Sequence, residues 1–166
     1  MKQIAIKTFA VALILLHLEQ AMAVEFEKLG SAIAAGLKTT KAFKANTNVK
    51  GEDTTVFYSK DGGGKANRYA VVQKGIYKPN CTHTWVIALN TAAKVEDIRV
   101  VEMSCTHAHP TKNASFLSQF KGKGPAAVRE LASSITVVAK ATGTSELTRD
   151  AVVKSIQAVQ NLSGKL

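Results

Sequence analysis

The sequence predicts an α+β fold: a mostly antiparallel sheet with an N-terminal and a C-terminal helix packed on it. Three observations lead there. Apolar residues recur at helical spacing near both ends of the chain. Between them lie four short runs rich in β-branched and aromatic residues. Polar turns separate successive runs and suit hairpins, whereas parallel strands would need long crossovers.

Residues 25–41 read as the first helix, because Phe26, Leu29, Ile33 and Leu37 share one face. The polar stretch Lys44 to Asp53 reads as a loop. Thr54 to Tyr58 is a strand, and Asp61-Gly62-Gly63-Gly64 is the reversal leading into a second strand, Arg68 to Tyr77. After Lys78-Pro79-Asn80, two further strands, Thr84 to Leu89 and Ile98 to Met103, flank the polar connection Asn90 to Asp97. Ser115 to Phe120 reads as a short helix. Gly124-Pro125 opens another, with proline where its missing N–H costs nothing. Ile135 to Ala139 reads as a last strand. Leu147, Ala151, Val152, Ile156, Val159 and Leu162 form one stripe of the final helix. No domain boundary interrupts the pattern.

Lys2 and Lys7, the apolar run Thr8 to Leu18 and Ala21-Met22-Ala23 together match a cleavable export signal, so residues 24–166 are the expected mature domain. The expected location is periplasmic or extracellular. The apolar run is too short to span a bilayer. Hydrophobic residues at 46% and charged residues at 20% exclude a disordered tail. Two cysteines and no CxxCH exclude a disulfide-dense scaffold, a cysteine-held iron–sulfur cluster and c-type haem. The formal charge of +10 falls by one when the signal, with two lysines and Glu19, is removed. The lysines are scattered, and no RNA-binding motif accompanies them, so nucleic acid is not an expected partner. A GxSxG elbow, a P-loop and an HExxH are all missing.

Two features carry chemistry. The first is the segment Ala141-Thr142-Gly143-Thr144-Ser145-Glu146-Leu147-Thr148, expected as a turn between the last strand and the final helix. Free N–H groups, the positive end of the helix dipole, a glycine and several hydroxyls suit an anion. The same hydroxyl residues are also what a helix N-cap prefers, so local chemistry leaves both readings open.

The segments "FLSQFKGKGP" (Phe116 to Pro125) and "ITVVAKATGTSELTRDAVVKSIQAV" (Ile135 to Val159) resemble the FMN-binding domain family, which includes flavin-bearing small subunits of sodium-pumping and electron-transfer complexes. The resemblance covers roughly residues 67–160. It implies an FMN-dependent electron carrier or redox subunit. Membrane-bound or cytochrome redox partners are implied with it, as is an exported flavin transferase. Thr142, Gly143, Thr144, Ser145, Thr148 and Lys140 are the implied cofactor-binding residues, with Lys121 and Lys123 adding positive charge. Ser145 falls at the position where many members carry flavin through its phosphate. Thr148 is a second candidate and non-covalent FMN a third. The chain departs from the family where threonine replaces the alanine of the turn, and where "CTHAHPT" replaces "ETPGLG". Tyr77 and Trp85 are candidate stacking partners for the ring, and equally candidate core residues.

The second feature is a doubled motif, Cys81-Thr82-His83 and Cys105-Thr106-His107-Ala108-His109. Antiparallel pairing brings both cysteines to one end of the sheet. Three readings compete: a disulfide, favoured by an oxidising compartment; a metal site drawing on Cys81, His83, Cys105, His107 and His109; and unlinked residues shaping a pocket. The metal site makes a periplasmic metal-binding protein the alternative function. Glu102, beside this motif, is the one carboxylate of interest.

Overall fold

The computed structural model describes residues 27–77 and 79–166. The expected export signal lies outside them. The fold is α+β, as the sequence predicts. Five strands form one antiparallel meander in the order β1 (Phe43–Val49), β2 (Glu52–Lys60), β3 (Ala66–Tyr77), β4 (Cys81–Asn90) and β5 (Val95–Met103). The N-terminal helix, Leu29–Leu37, covers one face and the C-terminal helix, Thr142–Leu162, covers the other. Among the described residues, no helix is long and apolar enough to cross a membrane.

Central strand β4 is buried on both faces, and its alternation decides which side chain meets which helix. Val86 packs with Ala70 of β3 against Ala32, Ile33 and Leu37 of the N-terminal helix. Small residues allow this helix to sit close: a Cβ on Gly36 would lie 3.2 Å from that of Ala88. Trp85, Ile87 and Leu89 point the other way, into a core shared with Val152, Ile156 and Val159 of the C-terminal helix. Cys81 and His83 fall on that same side by period-two spacing. Arg99 of β5 binds Glu27 at 2.9 Å and Asp97 at 3.0 Å, fixing the approach to the N-terminal helix.

Two expectations are corrected. The polar stretch Lys44 to Asp53 is not a loop. It supplies most of edge strand β1 and the turn into β2, with Phe43 paired to Tyr58 and Val49 to Glu52. Lys50 and Gly51 both have positive φ, at 53° and 88°, which is the backbone a two-residue hairpin turn requires. An edge strand gains its ladder hydrogen bonds without needing an apolar outer face, so its composition looks like a loop's.

The second correction concerns Ile135 to Ala139, which forms no strand. Its backbone groups have other partners. The Gln119 amide accepts from Thr136 N–H at 2.8 Å and donates to Thr136 C=O at 3.1 Å, as a neighbouring strand would. The Ser145 hydroxyl accepts from Val138 N–H at 3.0 Å. Ile135 and Val138 still pack against the core, while Thr136 and Val137 between them are exposed.

The first helix is shorter than expected, while the turn at Asp61 stands. Asp61 Oδ1 accepts from the N–H groups of Gly63 and Lys65, and Gly64 takes φ 81°. The expected short helices between β5 and the final helix are present as brief α and 3-10 turns from Thr106 to Ser134.

Candidate functional site

The candidate site is the end of the sheet where β3 finishes, β4 begins and the C-terminal helix starts. Its two halves are the two chemical features of the sequence, and they meet there.

Cys81 is the first residue of β4, paired with Tyr77. Cys105 lies two residues beyond β5, just before the 3-10 helix Thr106–Lys112. The two form a disulfide, with Cα atoms 5.4 Å apart. Cys81 is buried with Met103 and Ala108, while Cys105 is only partly covered.

His83 pairs with Gly75 on one side and Met103 on the other, in the middle of three strands. It is 1% exposed and stacks on Trp85, with ring centroids 5.3 Å apart and planes inclined by 8°. Its Nε2 lies 3.7 Å from Cys81 Sγ and 3.3 Å from Thr144 Oγ1. Its Nδ1 has no hydrogen-bond partner among the described residues. Burial pushes the imidazole below the usual histidine pKa, so the ring is neutral at pH 7. His107, on the 3-10 helix, is exposed, and one of its ring nitrogens lies within 4.8 Å of both sulfurs. His109 lies outside that three-residue group.

Glu102 faces away from this cluster. Its carboxylate accepts from Thr82 Oγ1 at 2.8 Å and Thr84 Oγ1 at 3.0 Å, residues that alternate with Cys81 and His83. Those hydroxyl hydrogen bonds hold its pKa below the usual carboxylate value.

The hydroxyl-rich segment is not a turn before the helix: it is the first two turns of the helix itself, which begins at Thr142. Burial sorts its side chains. Thr144 and Ser145 are 1% exposed and Thr148 is 0% exposed. Ser145 Oγ donates to Ala141 C=O at 3.0 Å, and Thr148 Oγ1 donates to Thr144 C=O at 2.8 Å. Bonding back to the previous turn is what lets these hydroxyls enter a packed helix face. A phosphoester at Ser145 or Thr148 does not fit these buried, engaged oxygens.

Thr142 and Lys140, by contrast, are exposed. Ala141 occupies the N-cap, and no side chain caps the helix. The N–H groups of the first turn therefore receive no side-chain cap. Tyr77, 46% exposed, covers this terminus: a Cβ on Gly143 would lie 2.1 Å from its ring. Only glycine leaves room for that contact.

Other sequence candidates fall elsewhere. Trp85 is 1% exposed and packs against Gly75, so it is a core residue and unavailable for stacking on a ligand ring. Lys121 and Lys123 sit beside Val95, at the opposite end of β5 from Cys105. They do not belong to the helix terminus. The meeting of His83 with Thr144 was not legible in the sequence, because it joins residues 61 positions apart through tertiary packing.

No family profile, curated protein or solved structure matches the chain. The resemblance to FMN-binding domains therefore rests on the quoted motifs, two of which have structural work in this fold through Gln119 and Ser145.

Proposed function

We propose that the mature chain is an exported electron carrier or redox subunit that holds FMN at the start of the C-terminal helix. The carrying observation is the surface made there by exposed Thr142 and Lys140, an uncapped helix terminus and the half-exposed Tyr77 ring over Gly143. A phosphate suits an uncapped helix terminus, the Thr142 hydroxyl and the Lys140 ammonium. A planar ring system suits the half-exposed Tyr77 ring. This reading moves the phosphate contact from Ser145 and Thr148 to Thr142. It takes Thr144 and His83 as residues that brace the terminus from below.

FMN supplies one- or two-electron transfer; the protein's part is to bind, orient and partly desolvate it. Partners are then redox proteins, membrane-bound or of the cytochrome type. A flavin transferase acts only if Thr142 carries an ester. The fold leaves the site at the surface, where a partner protein reaches it.

The native protein, purified from its own host, is expected to begin at Val24 and to contain FMN, either as added mass or released on denaturation. Thr142→Ala should lose an ester-linked flavin and weaken a non-covalent one. Ser145→Ala should retain the flavin in both cases. Gly143→Ala should displace the Tyr77 ring, which has solvent to move into, and lower flavin occupancy in a folded protein. A native protein without flavin by spectrum and by mass overturns the proposal.

A further inference from the structure

We propose that the Cys81–Cys105 disulfide is the closed state of a redox-gated site for a zinc-type divalent cation. When reduced, Cys81, Cys105 and His107 hold the ion and His83 completes the set. This inference shares one residue with the flavin reading, His83, which braces the helix terminus from below; its other ligands, Cys81, Cys105 and His107, take no part in that surface.

The geometry is already close to what an ion needs. One ligand atom from each of Cys81, Cys105 and His107 lies within 4.8 Å of the others. His83 Nε2 is 3.7 Å from Cys81 Sγ. In a tetrahedral zinc site with bonds of about 2.3 Å to sulfur and 2.0–2.1 Å to nitrogen, neighbouring S and N ligands are separated by roughly 3.6 Å. His83 Nε2 is thus at ligand spacing from Cys81 Sγ, although the ring lies outside the three-residue group and joins it only once the sulfurs have separated. The two sulfurs must separate from bonding distance to roughly 3.8 Å for the same geometry. Cys105 lies outside the strand ladder, before a 3-10 helix, so it is the sulfur placed to move. His107 is on that same helix and travels with it.

His83 adds a further donor: its buried Nε2 faces the Cys81 sulfur and the Thr144 hydroxyl, so a nitrogen stands beside the sulfur that would bind the ion. The donor set of two thiolates and two imidazoles favours zinc over magnesium or calcium, which take oxygen.

The chemistry balances with a dithiol reductant, supplied by an exported thiol–disulfide exchange protein. The dithiol is oxidised to its disulfide while the Cys81–Cys105 bond breaks, and two thiols form. The divalent ion then displaces two thiol protons to solvent and bonds both sulfurs. In the reverse step the disulfide form of the exchange protein takes the two electrons and becomes a dithiol, Cys81–Cys105 re-forms and the ion is released.

The test uses the full mature chain, flavin-free, with cobalt(II) as a visible probe and zinc(II) as competitor. The protein is reduced with a phosphine, which is then removed anaerobically. The expected result is one cobalt per reduced chain with a thiolate-to-cobalt charge-transfer band, bleached by zinc and missing from the oxidised protein. His107→Ala is exposed and should fold; it should weaken cobalt binding at least ten-fold, whereas His109→Ala should not. Cobalt binding by the reduced protein no tighter than by the Cys81→Ser/Cys105→Ser variant overturns the proposal. So does a reduced chain that loses its fold and does not regain it with zinc. A failure of cobalt binding leaves the flavin proposal standing, because that proposal is read from the flavin content of the native protein with its disulfide closed.

Discussion

Trp85→Ala is expected to destabilise the protein by about 3–5 kcal/mol, the range for truncating a large buried aromatic. Trp85 is 1% exposed in the central strand and is the largest fully buried side chain. It fills the space above Gly75, where an added Cβ would be 3.1 Å from the indole, and it lies parallel to His83. Its removal leaves a cavity between the sheet and Leu147, at the first turns of the C-terminal helix. Urea unfolding measures the loss as a lower midpoint with an unchanged slope. Trp85→Phe should recover part of it. Ile76→Ala, at a side chain 66% exposed, should stay within about 0.5 kcal/mol. A loss under about 1 kcal/mol for Trp85→Ala would show that the indole does not bridge sheet and helix.

The same indole explains how the candidate site is held. His83 is placed from three directions: by the Trp85 ring, by Cys81 two residues before it, and by Thr144 from the helix. Thr144 is fixed in turn because its carbonyl accepts from Thr148. The start of the helix and the start of β4 are thus one unit. A change at the disulfide is expected to be felt at Thr142 and Tyr77 through these contacts, without any ligand present.

The chemistry of this end of the molecule was partly legible in the sequence. Strands β2 to β5 announced themselves through runs rich in β-branched and aromatic residues, and the C-terminal stripe from Leu147 to Leu162 is the stripe that meets the core. Strand β1 was hidden, because an edge strand facing solvent has no need of an apolar pattern. Ile135 to Ala139 misled in the opposite direction. Its composition suits extended backbone, and the backbone is not helical there, yet Gln119 and Ser145 supply the hydrogen bonds that a neighbouring strand would give.

At the site, hairpin register brings Cys81 and Cys105 to one end of the sheet, and of the three readings that this left open the disulfide is the one present. Which hydroxyl faces solvent does not follow from composition. Thr142, Thr144, Ser145 and Thr148 look alike in the sequence, and only the helical phase relative to the sheet sorts one exposed residue from three buried ones. The position of the helix start decides that phase. Serine and threonine obscure it, because they serve equally as caps outside a helix and as back-bonded residues within one.

Removing the disulfide is the second large effect. The variant Cys81→Ala/Cys105→Ala is expected to lose about 3.5 kcal/mol, as the chain-entropy relation gives for a loop of this length. The cysteines are separated by 24 positions, and the segment between them holds β4 and β5. The cross-link therefore limits the unfolded chain over the two strands whose pairing orders half of the sheet. In the native state the same residues close the sheet's end, with Cys81 packed against Met103 and Ala108 and Cys105 beside them. Alanine keeps most of that apolar packing, so the loss reads the cross-link more than a cavity. Loss of the tether should also free the 3-10 helix carrying His107, raising hydrogen exchange at Thr106–Lys112 more than in β3. The measurement is denaturant unfolding of oxidised wild type, phosphine-reduced wild type without metal, and the alanine pair. The last two should agree to within about 1 kcal/mol, because both lack the same constraint. Equal midpoints for all three would mean that the cross-link contributes nothing, and that the ladder between β4 and β5 alone holds this end of the sheet.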